Sequence, residues 1–231
     1  MSVSVGNSAA ARAVLFDLDG TLADTAPDLA YVLNLQLRAH GRPELPVSVL
    51  RPFVSHGARG MLRAGFGLEA GDASYLALRD EFLELYEQNL FRETRLFPGM
   101  AELLSSLERQ AIAWGIVTNK LERFTFPLIA ALGLSARAGC VVGGDTTPRA
   151  KPFPDPLLEG SRRLGVEPGL CTYVGDDERD VQASHAAGMT PVVALYGYLG
   201  DGKPPQEWGA DAYIDHPLKL LKVLETSPSV G

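Results

Sequence analysis

Ala13-Val14-Leu15-Phe16 is an apolar run without polar alternation, and it breaks into Asp17-Leu18-Asp19-Gly20-Thr21. Such a run is the signature of a strand buried on both faces, as inner strands of parallel sheets are. Its C-terminal end delivers two carboxylates, Asp17 and Asp19, where Gly20 turns the chain. Carboxylates that close repel each other as anions, so the site holds a cation between them or keeps one protonated. In open α/β sheets ligands bind at the carboxyl ends of strands, and a glycine there lets backbone N–H groups approach an anion. Gly20 is therefore a candidate substrate-binding residue. The alternative is an acidic strand-to-loop turn capped by Thr21.

The pattern after this strand is helical for about seventy residues. Pro27 favours the first turn of a helix capped by Thr25 or Asp24, with Leu29, Val32, Leu33, Leu35 and Leu37 as its apolar stripe. Further helical pieces are expected from Pro46, over 57–66 and over 72–90. Beyond Pro98-Gly99 strands and helices alternate: strands at 111–117, 140–142, 170–174 and 191–195, helices at 100–109, 121–132, 156–164 and 181–187. That alternation predicts an α/β fold with a parallel sheet and right-handed crossovers, the first strand included. The expected organisation is a core of residues 1–25 and 96–231 carrying an all-helical insertion, 26–95, joined near Asp24-Thr25 and near Leu96-Phe97-Pro98-Gly99. A short edge strand at 212–214, a last helix from Pro217 and a disordered tail over 226–231 complete the expectation.

Three more strand ends each carry one chemical part. Thr118-Asn119-Lys120 offers a hydroxyl and an amide that donate to phosphate oxygens, or a plain helix cap. Lys151 sits in Ala150-Lys151-Pro152-Phe153-Pro154-Asp155-Pro156, where three prolines stiffen the backbone and aim its ammonium. Gly175-Asp176-Asp177-Glu178-Arg179-Asp180 is far more acidic than a loop needs, although acids also suit a helix N-terminus. Together Asp17, Asp19 and an acid from the Asp176 loop are hard oxygen ligands too few for an all-protein calcium cage. They suit Mg²⁺ completed by water and a substrate phosphate. Lys151 and Thr118 balance the remaining phosphate charge. Asp17 is then placed to attack the phosphoryl group, and Asp19 to protonate the leaving alcohol and later take a proton from water.

The formal net charge of -7 offers no basic face for nucleic acid or an anionic membrane, so the expected partner is a small phosphorylated metabolite. No stretch reaches the ~18 uninterrupted apolar residues of a membrane span, and 1–11 lacks a signal-like apolar core. Cys140 and Cys171 lie in apolar runs, as buried thiols of a reducing compartment do. A cytoplasmic location is expected. Nothing in the sequence sets the oligomeric state.

In order and spacing these stretches resemble the haloacid dehalogenase superfamily of phosphatases. Asp17-Leu18-Asp19-Gly20-Thr21 looks like its first motif, Thr118 with Asn119 its second, Lys151 its third, and Gly175-Asp176 with Asp180 its fourth. The resemblance implies a Rossmann-like parallel sheet core with an inserted all-helical cap domain, an aspartyl-phosphate intermediate, and Mg²⁺ bound by Asp17, the Asp19 main-chain carbonyl and Asp176. The helical insertion, with Tyr196-Gly197-Tyr198, is similar to the phosphoglycolate phosphatase branch. Ser55-His56-Gly57-Ala58-Arg59-Gly60-Met61 departs from the glycine-rich cap loop of that branch and looks like related phosphatases of N-acetylmuramic acid 6-phosphate. His56 and Arg59 either contact the non-reacting end of the substrate or start and solvate a cap helix. A sugar phosphomutase would keep every core motif; a non-enzymatic Mg²⁺-binding regulatory module would keep the fold, and the intact Asp17, Asp19, Thr118, Lys151 and Asp176 argue against it. Dehalogenation is argued against by Asp19, which the superfamily's dehalogenases lack.

Overall fold

A computed structural model describes residues 12–200 and 202–226. The expected segment 1–11, and the expected tail except Thr226, lie outside them. In chain order the elements are β1 (Ala13–Phe16), β2 (Ala23–Asp24), α1 (Ala26–Ala39), α2 (Val47–Leu50), α3 (Gly57–Phe66) and α4 (Tyr75–Gln88). There follow β3 (Arg95–Leu96), α5 (Met100–Arg109), β4 (Ala113–Val117), α6 (Glu122–Ala131), β5 (Val141–Val142) and α7 (Asp155–Leu164). The chain continues with β6 (Cys171–Gly175), α8 (Glu178–Ala187), β7 (Thr190–Ala194), β8 (Ala212–Ile214) and α9 (Lys219–Thr226).

Six strands form one parallel sheet in the order β5-β4-β1-β6-β7-β8. The strand with the paired aspartates is thus internal, between β4 and β6. Its side chains alternate between two packed layers, which is why it is apolar throughout. Val14 and Phe16 pack with Leu103, Leu104 and Leu107 of α5 and Leu220 of α9, while Ala13 and Leu15 pack with Leu157 of α7 and Ala183 of α8. Register fixes what emerges at the edge. Phe16 is paired with both Ile116 and Val174, so Asp17 leaves the sheet level with Val117 and Gly175. Thr118 and Asp176 therefore become its neighbours.

The helices α1 to α4 form a block with its own apolar core of Leu29, Leu33, Leu37, Leu50, Met61 and Phe82, to which Phe124 and Tyr198 are added from outside the block. Its two connections pair as an antiparallel ribbon, β2 with β3, which sequence reasoning reads as loop and helix end. At two residues each, these strands are too short to show any periodicity. Helix α1 begins at Ala26 with Pro27 in its first turn, as expected, but not with the expected cap. The Thr25 hydroxyl donates to Asp19 instead, and Asp24 accepts from Ala26 N only at 3.4 Å. Tyr198 supplies the acceptor: its hydroxyl oxygen lies 2.7 Å from Thr25 N and 2.9 Å from Ala26 N.

Asp28 ties the block's far end back to its start. Its buried carboxylate accepts from Arg92 N (3.0 Å), Glu93 N (2.8 Å), Thr94 N (3.1 Å) and Thr94 Oγ1 (2.6 Å). The donors around this carboxylate are buried or partly buried, so leaving them unpaired is costly. Asp28→Ala is expected to lower unfolding stability by at least about 3 kcal/mol in urea titrations, several donors at roughly 1–3 kcal/mol each being only partly rehydrated. A loss of only about 0.5 kcal/mol or less, the ordinary surface range, would contradict this assignment.

Candidate active site

At the C-terminal edge of β1, β4 and β6 the parts converge. Asp17 Oδ1 accepts from Leu18 N at 2.7 Å and lies 3.1 Å from Lys151 Nζ. The same ammonium is 2.7 Å from Asp180 Oδ1 and donates to the Tyr173 hydroxyl at 2.7 Å, which in turn donates to Val117 O. Burial alone would drive Lys151 toward neutrality, but Asp17 and then Asp180 outweigh it and hold the ammonium charged beyond its usual range.

Asp176 is buried, with Thr21 Oγ1 donating to Oδ1 at 2.7 Å and Tyr198 N to Oδ2 at 2.9 Å. Two glycines make its space. A side-chain carbon on Gly20, which has φ +82°, would fall 2.1 Å from Asp176 Oδ2, and one on Gly197 would fall 2.3 Å from Asp176 Cβ. Desolvation, then the charges of Asp17 and Asp180, push the Asp176 carboxyl well above the ordinary carboxylate range. Asp180 is pushed up to about 6, by burial against the pull of Lys151. Its Oδ2 accepts from Asp176 N and Asp177 N, each at 3.1 Å, closing a capping box at the start of α8.

Oxygens of Asp17, Asp176 and Asp180 lie within 4.8 Å of one another. Three carboxyl groups share one ammonium, a crowding that pushes Asp176 and Asp180 toward their protonated forms, and their hard oxygen donors fit a divalent cation such as Mg²⁺. Asp180 is engaged by Lys151 and two amides, which leaves Asp17 and Asp176 as the freer pair.

Asp19 points elsewhere. Lys120 Nζ donates to its Oδ1 and Oδ2 at 3.0 and 3.2 Å, and Thr25 Oγ1 donates to Oδ1 at 2.5 Å. A cavity of ≈ 320 Å³ opens over these groups between the sheet edge and the helical block. Asp17, Asp19, Thr118 and Lys151 line its floor; Leu29, Val54, Phe82, Leu83 and Phe124 give an apolar flank, and Ser55, His56, Asp177 and Arg179 a polar one.

The sequence profile of the haloacid dehalogenase-like hydrolases matches residues 14–194. The chain belongs to this family. A phosphoglycolate phosphatase of Xanthomonas campestris is 46% identical over 90% of this chain and 94% of its own length. An N-acetylmuramic acid 6-phosphate phosphatase of Pseudomonas putida is 40% identical over 94% of this chain and 97% of its own. The crystal structure of a protein described as a predicted phosphoglycolate phosphatase, from Haemophilus somnus, superposes with a TM-score of 0.80 at 28% identity, covering 92% of this chain and 97% of that one. Phosphatases of the haloacid dehalogenase-like family generally use Mg²⁺. No helix among the described residues is long and apolar enough to cross a membrane, and both cysteines are free and buried.

Within this haloacid dehalogenase-like site the expected residues divide. Asp17, Thr118, Lys151 and Asp176 come together with Gly20 beside them. His56 lines the cavity. Arg59 does not: it lies on the outer side of α3, exposed and paired with Glu69 at 3.3 Å. Asn119 lines the cavity, but its amide is bonded to the Lys151 main chain, Nδ2 donating to Lys151 O and Oδ1 accepting from Lys151 N, both at 2.9 Å. Among the residues without an expected role that also line the cavity are Lys120, Arg179 and Tyr86. Lys120 and Arg179 lie within the strand-end stretches that the sequence singles out, whereas Tyr86 reads only as part of a helix stripe.

The doubly bonded Asn119 fixes the segment that aims Lys151. Asn119→Ala is expected to cost about 1–3 kcal/mol of unfolding stability, the range for buried hydrogen-bond partners left unmatched. Urea unfolding checks this, since a residue serving only to touch a ligand would leave stability unchanged.

Proposed function

We propose that the chain is a Mg²⁺-dependent phosphomonoester hydrolase that acts on a small phosphorylated metabolite through an aspartyl-phosphate on Asp17. The observation that carries this reading is the placement of the Asp17 carboxylate beside both the Lys151 ammonium and the buried Asp176 carboxylate, at the floor of the cavity. Asp17, the Asp19 carbonyl and Asp176 would hold Mg²⁺, which supplies the positive charge that lets an anionic nucleophile approach a phosphoryl group.

Lys151 and the Thr118 hydroxyl take the phosphoryl oxygens. An Asp17 oxygen bonds to phosphorus as the bond to the leaving oxygen breaks, and Asp19 gives that oxygen its proton. Asp19 then takes a proton from water, whose oxygen attacks phosphorus and breaks the Asp17–phosphorus bond. Phosphate leaves and Asp17 is restored. Residues 26–95 act as a cap over this chemistry, hinged at the β2–β3 ribbon, and its closure excludes bulk water.

For the substrate, 2-phosphoglycolate is favoured by the relatives at 46% identity. A second reading, N-acetylmuramic acid 6-phosphate, is favoured by the cavity. Its apolar flank has nothing to cover in a two-carbon acid but meets the methyl groups of acetyl and lactyl substituents. Comparing kcat/KM for the two esters decides between them.

Turnover of either ester is expected to require Mg²⁺ and to stop in excess chelator. Asp17→Asn is expected to abolish turnover, because an amide forms no acyl-phosphate. Asp19→Asn is expected to lose about 10²–10⁴-fold, the usual contribution of a positioned acid–base group, and to stall at the phosphorylated enzyme. Equal residual rates in both variants, or full activity in chelator, would contradict these roles.

A further inference from the structure

The reaction described above leaves Lys120 unused, although its side chain is only 7% exposed and lines the cavity. Its ammonium spans both oxygens of Asp19 and sits 4.6 Å from the centre of the Tyr86 ring. Tyr86 belongs to α4 of the helical block and is 2% exposed. Its ring packs between Phe82 of the same helix and Phe124 of α6, at centroid distances of 6.4 and 5.3 Å. An aromatic face over a desolvated ammonium is attractive, and here it is a contact between the helical block and the residue that grips Asp19. Thr25 holds only one Asp19 oxygen, so without Lys120 that carboxylate is free to turn about it. Lys151 pairs with Asp17 Oδ1, whereas the carboxylate that Lys120 holds is that of Asp19.

Resting on the hydrolase reading, we propose that Lys120 is a positioning residue for Asp19, and that Tyr86 completes the clamp from the helical block, so that the acid–base carboxylate is aimed at the leaving oxygen only with α4 seated against the sheet edge. Asp19 then delivers its proton where the ester oxygen lies, and the seating of the helical block reaches Asp19 through the Tyr86–Lys120 contact.

The leaving group separates this role from a merely structural one. An alkyl ester needs its leaving oxygen protonated, whereas p-nitrophenolate departs without a proton, and kcat/KM covers events up to the release of the alcohol. The test uses the full chain with Mg²⁺, the better of 2-phosphoglycolate and N-acetylmuramic acid 6-phosphate as alkyl ester, and p-nitrophenyl phosphate as comparator. Lys120→Met is expected to lower kcat/KM for the alkyl ester at least about tenfold more than for the aryl ester, with inhibition by inorganic phosphate changed less than about threefold. Tyr86→Leu should shift the alkyl-to-aryl ratio in the same direction, and Tyr86→Phe, which keeps the ring, should retain the wild-type ratio. Equal losses on both esters, or phosphate inhibition weakened in step with activity, would overturn the proposal, the latter by making Lys120 a phosphate ligand. If Lys120→Met shows no folding transition, the Tyr86 pair decides, and identical ratios for Phe and Leu overturn it. Failure of the hydrolase reading itself is seen separately, as an Asp17→Asn variant that remains active.

Discussion

Three carboxyl groups, two at the ends of neighbouring parallel strands and one in the first turn of α8, with one ammonium among them, set the terms for the rest of the molecule. Asp17, Asp176 and Asp180 repel one another where little water screens them, and Lys151 offsets only part of that charge. The cluster persists because its backbone is held by the strongest element available, a six-stranded parallel sheet with β1 near its middle. Local hydrogen bonds then meet the remaining lone pairs: Thr21 and Tyr198 N on Asp176, the Asp176 and Asp177 amides on Asp180, Leu18 N on Asp17. What remains is a set of hard oxygen donors close together, with the Lys151 ammonium beside them and the Thr118 hydroxyl on the same cavity lining.

The parts that depend on short stretches of chain were legible in the sequence. The apolar strand ending in Asp17 and Asp19, the helices over 57–66 and 100–109, the edge strand at 212–214, and the strand-end positions of Thr118 and Asp176 all follow from local pattern. Lys151 was legible because prolines around it restrict the backbone. Contacts between distant segments were not. The β2–β3 ribbon is too short for periodicity, and Asp28 looks like an ordinary first-turn acid until residues 92–94 fold onto it. Arg59 shares a stretch with His56, but only His56 lines the cavity, while the Arg59 side chain runs to Glu69. Asn119 lies at a strand end suited to phosphate, yet its amide is engaged by a loop 32 residues away.

The same long-range contacts join the helical block to the site. Tyr198 links Asp176, through its amide, to the first turn of α1, through its hydroxyl. Arg51 of the block grips Asp24 through two hydrogen bonds and lies 5.4 Å from the Tyr198 ring centre. Arg179 donates to Ser55 O at 2.7 Å while both oxygens of Asp177 hold its guanidinium. These bonds tie residues 26–95 to Tyr198 and Arg179, which touch Asp176 and Asp177.

The account depends on Asp17 becoming covalently phosphorylated. The direct measurement is acid quenching of the enzyme during turnover, followed by mass spectrometry of the peptide that contains Asp17. The mass of one phosphoryl group on Asp17, rising in the Asp19→Asn variant and absent in Asp17→Asn, is the predicted result. A turning-over enzyme with no label on Asp17, or with the label on another residue, would contradict it.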